Sequence, residues 1–308
     1  MASNQDLLTK VQGALKSITT NDLGSSILAR AKQEKFVRTV SQATRILNDA
    51  RRIDMSSHTH DIDRVGFAER ILKPANEGTA GSETSQPDFN TNTLESVEAM
   101  AIAGITDSTL EDNIEQEGFE DTLLDLIANR VGIDLEELFL NGDKTNGTGV
   151  MGLTDGWLVK SANQVSAVDT ETDFDPVDPE DLFDAMVKAV PKKYLRNRSE
   201  WNFYVHWDIE DAYRNLLRER GTGLGDSAQT TAQQLAYKGI NVVDSSSMPT
   251  GQALLAPANN LVYGVYRDVR IEPDRQAKAR KTDFVTSLRV DAHYEDENAS
   301  VVAEGFTG

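Results

Sequence analysis

The sequence predicts an α+β fold, and three observations carry that reading. One long run at helical spacing occupies residues 111–140. Short strand-like segments are spread from residue 62 to residue 294 without alternating regularly with helices. A polar stretch at 73–88 lacks the large apolar side chains that a core of its own would need. With 308 residues, 39% of them hydrophobic, the chain can fill one large domain or two modest ones.

Residues 1–55 read as broken helix. Leu7, Leu8, Val11, Leu15 and Ile18 make one apolar stripe, and Ile27, Leu28, Ala31, Phe36, Val37 and Val40 a second. The turn cluster from Thr19 to Asp22 and Gly24 separates them. Such stripes need a surface, which is either the chain's own body or a neighbouring molecule. Residues 62–105 then read as two strands, Ile62 to Leu72 and Phe89 to Ile105, the second alternating through Leu94, Val97 and Met100. A polar passage of that length inside a compact domain argues against itself. It fits an extended hairpin that projects onto another molecule, or a surface insertion without fixed structure.

The 111–140 helix carries Ile114, Phe119, Leu123, Ile127, Val131, Leu135 and Leu138 on one stripe, widened by Leu124, Leu126 and Phe139. Thr109 to Asp112 resembles a capping box and Asn141-Gly142 a stop. At 1.5 Å per residue it is roughly 45 Å long, enough for a spine. A helix capped by Asp178, with Pro179 at its first position, turns Leu182, Phe183, Met186, Val187 and Val190 inward. An aromatic strand over 201–207 and a helix over 208–220 follow, the latter with Ile209, Tyr213, Leu216 and Leu217. Short strands are predicted at 240–243, 253–256, 261–266 and 269–271, and a long one at 284–294 alternates through Thr286, Leu288, Val290 and Ala292.

Composition narrows the chemistry. No cysteine is present, which removes disulfides, thiolate metal sites and thiol nucleophiles together, and four histidines leave little for zinc or triad chemistry. Mean hydropathy is −0.45 and no apolar run approaches ~18 residues, so no helical membrane span is expected. The first residues lack the charged-then-apolar order of a secretory signal. Lys+Arg number 31 against 50 Asp+Glu, a formal charge of −19. Residues 1–70 hold 11 basic and 8 acidic side chains, and the other 238 hold 20 and 42. That asymmetry is either a solvated face or a weakly basic arm on an acidic body, able to touch nucleic acid or an acidic sister subunit. A lysine-poor acidic surface also suits concentrated salt, where the Debye length shrinks to ~3 Å at ~1 M.

Three motifs offer chemistry and none persuades. Gly147 to Gly152 has the letters of a dinucleotide loop but follows a helix instead of a strand. His58, His60, Asp61 and Asp63 could supply metal ligands, though such clusters are ordinary turn chemistry. Asp173, Asp175 and Asp178 lack the glycine and terminal glutamate of a calcium loop. His206 and His293 sit in strands and read as packed or surface residues. No catalytic, cofactor-binding or metal-ligating residue is therefore assigned, and an enzyme is not expected.

From about residue 60 to the end, the order of these elements resembles the major capsid protein of tailed double-stranded-DNA viruses, the Hong Kong 97-like fold. The residues that carry the resemblance are Ala68 to Pro74 entering the hairpin, the spine helix closing on Glu137 to Asp143, and Gly149 to Leu153 after it. The aromatic strand, the helix after Trp207 and the Gly221–Gly225 loop are similar to the family's axial domain. Phe284 to Tyr294 and Ser300 to Phe306 are similar to the last strands of its peripheral domain.

The resemblance implies an N-terminal arm at 1–60 and an extended hairpin loop at 61–105. A peripheral domain at 106–175 with the spine helix, an axial domain at 176–270 and return strands of the peripheral domain at 271–308 follow. It implies self-assembly into hexamers and pentamers of an icosahedral shell, with the arm and hairpin ordered by neighbours. Portal and scaffolding proteins, decoration proteins and packaged double-stranded DNA are the implied partners. The implied location is the virion head, with assembly in the host cytoplasm; an encapsulin-like nanocompartment shell around enzyme cargo is the alternative. Some relatives weld subunits through a lysine near the hairpin tip, but residues 75–91 contain no lysine, so no self-crosslinking is expected. The stretch before the hairpin is short for a cleaved scaffolding domain, so a separate scaffolding protein is expected. The acidic balance points to a salt-loving host, such as that of a haloarchaeal tailed virus.

Overall fold

The computed structural model describes residues 44–66, 71, 87–106, 119–167, 173–219 and 235–307. The predicted stripes at 7–40, the hairpin's polar tip, the helix start at 109–118 and the 221–225 loop lie outside these residues.

Two sheets share one helix. A four-stranded sheet has the order β1-β10-β11-β4: β1 (Arg51–Met55) runs parallel to β10 (Leu261–Gln276), while β10 to β11 (Lys281–Tyr294) and β11 to β4 (Val97–Thr106) are antiparallel. A six-stranded sheet has the order β5-β12-β9-β6-β8-β7. Its strands are β5 (Asn163–Ser166), β6 (Trp201–Val205), β7 (Ala236–Tyr237), β8 (Ile240–Asp244), β9 (Gln252–Pro257) and β12 (Val301–Glu304). The remaining strands, β2 (Thr59–Gly66) and β3 (Asp88–Glu95), pair with each other.

The helix α2 (Phe119–Asn141) follows the short α1 (Arg45–Asp49) and lies between the sheets. Its Ile127, Val131, Leu135, Leu138 and Phe139 share one core with Tyr263, Phe284, Leu288 and Val290 of the four-stranded sheet. Tyr204, Val243, Leu254 and Ala256 of the six-stranded sheet complete that core. On the far face of the six-stranded sheet, Phe203, Val205, Val242, Leu255 and Val301 meet α4 (Pro179–Ala189) and α5 (Trp207–Glu219). Covered on both faces, these central strands carry apolar side chains in both directions of the pleat. The short α3 (Trp157–Lys160) caps the first core with Trp157. Asp178 caps α4 by accepting from the Glu180 amide at 2.8 Å, with Leu182, Phe183 and Met186 buried, as its sequence predicts.

Several expectations need correction. The run 89–105 is two strands in two sheets, broken at buried Ser96, whose amide and hydroxyl both donate to the His58 carbonyl at 3.0 Å. Residues 97–106 therefore belong to the four-stranded sheet and not to the hairpin. Within β4, Val97, Ala99, Ala101, Ala103 and Ile105 turn inward, so Met100 points out and is 62% exposed. Leu126 of α2 is also exposed, because a 3.6-residue repeat carries it off the buried stripe. The strands predicted at 261–266 and 269–271 are one strand, β10, with a register shift between Tyr266 and Arg270. It lies in the four-stranded sheet, so 261–270 does not pair with the strands around 201–257. Conversely β5 and β12 join the six-stranded sheet, where β12 runs parallel to β5 and antiparallel to β9. Val301, Val302 and Ala303 are all buried, and apolar side chains on both faces require an interior strand.

Candidate assembly surfaces

The β2–β3 hairpin has a fixed root and an uncovered outer face. Strand alternation sends His60, Ile62, Arg64, Asn90, Asn92 and Leu94 to one face. Ile62 and Leu94 bury against Met55 and Val262. Gly264 lies beneath them, where a Cβ would stand 2.5 Å from Met55 Sδ and 3.0 Å from Leu94 Cδ1. The absent side chain is what lets the hairpin root seat so closely.

Buried acids complete the anchorage. Asp291, 3% exposed, accepts from the Glu95 amide at 2.8 Å and the Thr154 hydroxyl at 2.5 Å, with Lys160 Nζ at 3.6 Å. Burial pushes the Lys160 ammonium below its ordinary value, and the Asp291 carboxylate opposes that shift. Asp296, also buried, takes the Arg64 guanidinium and the Tyr194 hydroxyl, the latter at 2.5 Å. Asn92 Nδ2 donates to the Tyr294 carbonyl at 2.9 Å. These ties join the hairpin to β11, to the segment after it and to the turn after α4. Sequence reasoning missed them, because nothing in a strand such as Arg289 to His293 marks Asp291 as the acid that turns inward.

Among the described residues the opposite face of the hairpin has no such cover. Thr91 and Thr93 donate to Asp63 and Asp61 across the ladder, each at 2.8 Å. Beyond them Val65 and Phe89 stand directly opposite each other, 60% and 69% exposed, and Ile71 is exposed as well. A second apolar surface lies on the edge strand β4, where Met100 and Ile102 point to solvent. Large apolar side chains grouped this way mark contact surfaces, and an open sheet edge invites pairing.

The candidate chemical residues are drawn into structural work. His60 faces the body while Asp61 and Asp63 face out, so that cluster does not converge. Asp173 accepts from the Ser166 amide, Asp175 from the Val177 amide, and Asp178 caps α4. The Gly147–Gly152 segment is a tight loop after α2, with the Asp143 amide donating to the Met151 carbonyl at 2.8 Å. Asp143 accepts from Thr145 and Asn146, and the Asn146 side chain foremost holds its carboxyl below the usual range. His206 pairs with Asp208 at 2.9 Å at the start of α5, and His293 Nδ1 accepts from the Tyr294 amide at 2.9 Å. An open depression of about 350 Å³, lined in part by Asn141, Asp143, Gln164 and Glu304, brings no base to a nucleophile. Among the described residues no three His, Cys, Asp or Glu side chains gather as metal ligands, and no helix is long and apolar enough to cross a membrane.

Comparison with known proteins agrees with an architecture of surfaces. The profile described as "Phage capsid family" matches residues 18–305. The chain is 31% identical over 310 residues to YqbE, a candidate prophage capsid protein of Bacillus subtilis (strain 168), covering 96% of each chain. Its fold is similar to that in a satellite phage P4 procapsid that includes the size determination protein, at TM-score 0.69 and 16% identity, over 100% of this chain and 98% of that one. It is also similar to the SrpI encapsulin of Synechococcus elongatus PCC 7942, at TM-score 0.58 and 11% identity, over 84% and 86% of the two chains.

Proposed function

The chain belongs to the phage capsid family, and from that premise we propose that it is the major capsid protein of a tailed double-stranded-DNA virus, its copies closing into the icosahedral head shell. The fold is the α+β, Hong Kong 97-like one, and the virion capsid is where the protein resides. Its work is mechanical and not enzymatic: it holds a curved surface closed around a genome. The observation that carries the reading is the hairpin, rooted by buried acids yet exposing Val65 and Phe89 on its outer face. A neighbouring copy supplies the missing cover, and a contact repeated over a closed shell can be weak in each copy.

Hexamers and pentamers, a portal, a separate scaffolding protein, decoration proteins and assembly in the host cytoplasm belong to the same proposal. So does a salt-loving host, supported by the charge of −19 per subunit. Likeness to an encapsulin supports a second reading, a nanocompartment shell enclosing enzyme cargo. Negative-stain imaging of purified particles, with nuclease-protected nucleic acid measured in the same preparation, tests both. Closed shells holding double-stranded DNA are expected. Closed shells holding only protein favour the second reading, and a chain that stays a single subunit refutes both.

A further inference from the structure

One basic surface stands out on this acidic chain. Residues 185–199 contain Lys188, Lys192, Lys193, Arg196 and Arg198 and no acid, and all five cations are exposed. The loop that presents them is pinned from below. The Tyr194 hydroxyl donates to buried Asp296, the Tyr194 amide donates to the Pro191 carbonyl at 3.0 Å, and Leu195 packs on the second core. Immediately before it, residues 169–184 contain eight acids and no cation. Asp184 is committed to Lys238 and Tyr237, and Asp178 to the α4 cap, but Asp173 and Asp175 are exposed.

The two poles sit at opposite ends of α4, which Leu182, Phe183 and Met186 hold rigidly in the core. Eleven residues at 1.5 Å each separate them by about 16 Å, two Debye lengths at physiological salt of ~8 Å each. Asp184 and Lys188, four residues apart on α4 itself, act on each other, whereas Asp173 and Asp175 lie beyond one end of the helix and Lys192 and Arg196 beyond the other. We propose that the basic surface around Lys192 and Arg196 docks on the acidic pole around Asp173 and Asp175 of a second copy, head to tail within the shell. A contact between two unlike patches of one chain is heterologous, and it generates a ring where the rotation closes. Nucleic acid is the competing partner for the basic surface, but it leaves the acidic pole at the other end of the same helix without a role.

The proposal rests on the capsid reading and is tested on assembled particles. A carbodiimide joins a lysine amine to a carboxylate as an amide, water leaving as the urea of the reagent. Expected products, mapped by mass spectrometry, join Lys192 or Lys193 to Asp173, Asp175 or Glu180 between subunits. The double reversal Lys192→Glu with Arg196→Glu lowers the assembled fraction about tenfold or more, with the melting midpoint of the unassembled subunit unchanged. Adding Asp173→Lys and Asp175→Lys to the same chain restores shells. Normal assembly of the first variant, or crosslinks that never join the two poles, overturns the proposal. So does a first variant that forms normal empty shells and loses only its DNA. A wild-type chain that forms no shells speaks against the capsid reading and not against the poles.

Discussion

Gly156 is a residue at which one added methyl group decides much. A Cβ there would stand 2.4 Å from the Leu140 carbonyl oxygen and 2.8 Å from that of Phe139, both in the last turn of α2. Backbone carbonyls cannot swing aside as a methionine tip can, so Gly156→Ala is expected to cost about 3 kcal/mol in urea unfolding. At Gly66 a Cβ meets nothing within 4 Å, and Gly66→Ala is expected to change stability by about 0.5 kcal/mol at most. His293 gives a pH signature. Burial, then the Lys160 ammonium, holds its imidazole below the ordinary value of about 6.5. The unfolded chain thus binds protons more readily than the folded one. The stability His293 contributes is complete above about pH 6.5 and declines as pH falls below it. Thermal midpoints of unassembled subunits are expected to drop further between pH 7 and pH 5.5 in the wild type than in His293→Gln.

Among the elements, α2 and the hairpin show how far pattern reading reaches. The helical repeat correctly assigned Ile127, Val131, Leu135 and Leu138 to the core, because a fixed angle per residue leaves one stripe facing inward. It overreached at Leu126, where an apolar residue falls outside that stripe. Leu138→Ala is accordingly expected to cost about 3 kcal/mol and Leu126→Glu about 0.5 kcal/mol or less in the isolated subunit, both read from urea midpoints. The strand run 89–105 was harder. Alternation has the same period on either side of Ser96, so it carries no sign that β3 and β4 belong to different sheets. The register is chosen by partners far along the chain, Thr59–Gly66 for one and Lys281–Val290 for the other.

For the molecule as a whole, charge sets the terms of assembly. Subunits of −19 held side by side repel unless salt or bound cations screen them. Particles dialysed into low salt with a chelator are expected to fall apart, as seen by light scattering; particles that stay intact and infectious remove the support for a salt-loving host. A second expectation concerns covalent chemistry. Residues 75–91 offer no lysine amine, so mature particles boiled in detergent are expected to run as a single-subunit band without a ladder.

By itself the sequence determined the spine helix, α4, α5 and most of the later strands, though not β1, which it read as the end of a broken helix. It also determined the acidic balance, the absence of thiol chemistry and, through the order of short motifs, the capsid resemblance. Each of these follows from local spacing or from composition, which a linear reading contains whole. Only the tertiary structure decided that β12 lies inside the six-stranded sheet between β5 and β9, that β10 is one strand, and that Asp291 and Asp296 root the hairpin. Asp291 meets Glu95 across 196 positions. A contact at that separation is selected by the free energy of the packed whole, and no window of neighbouring residues encodes it.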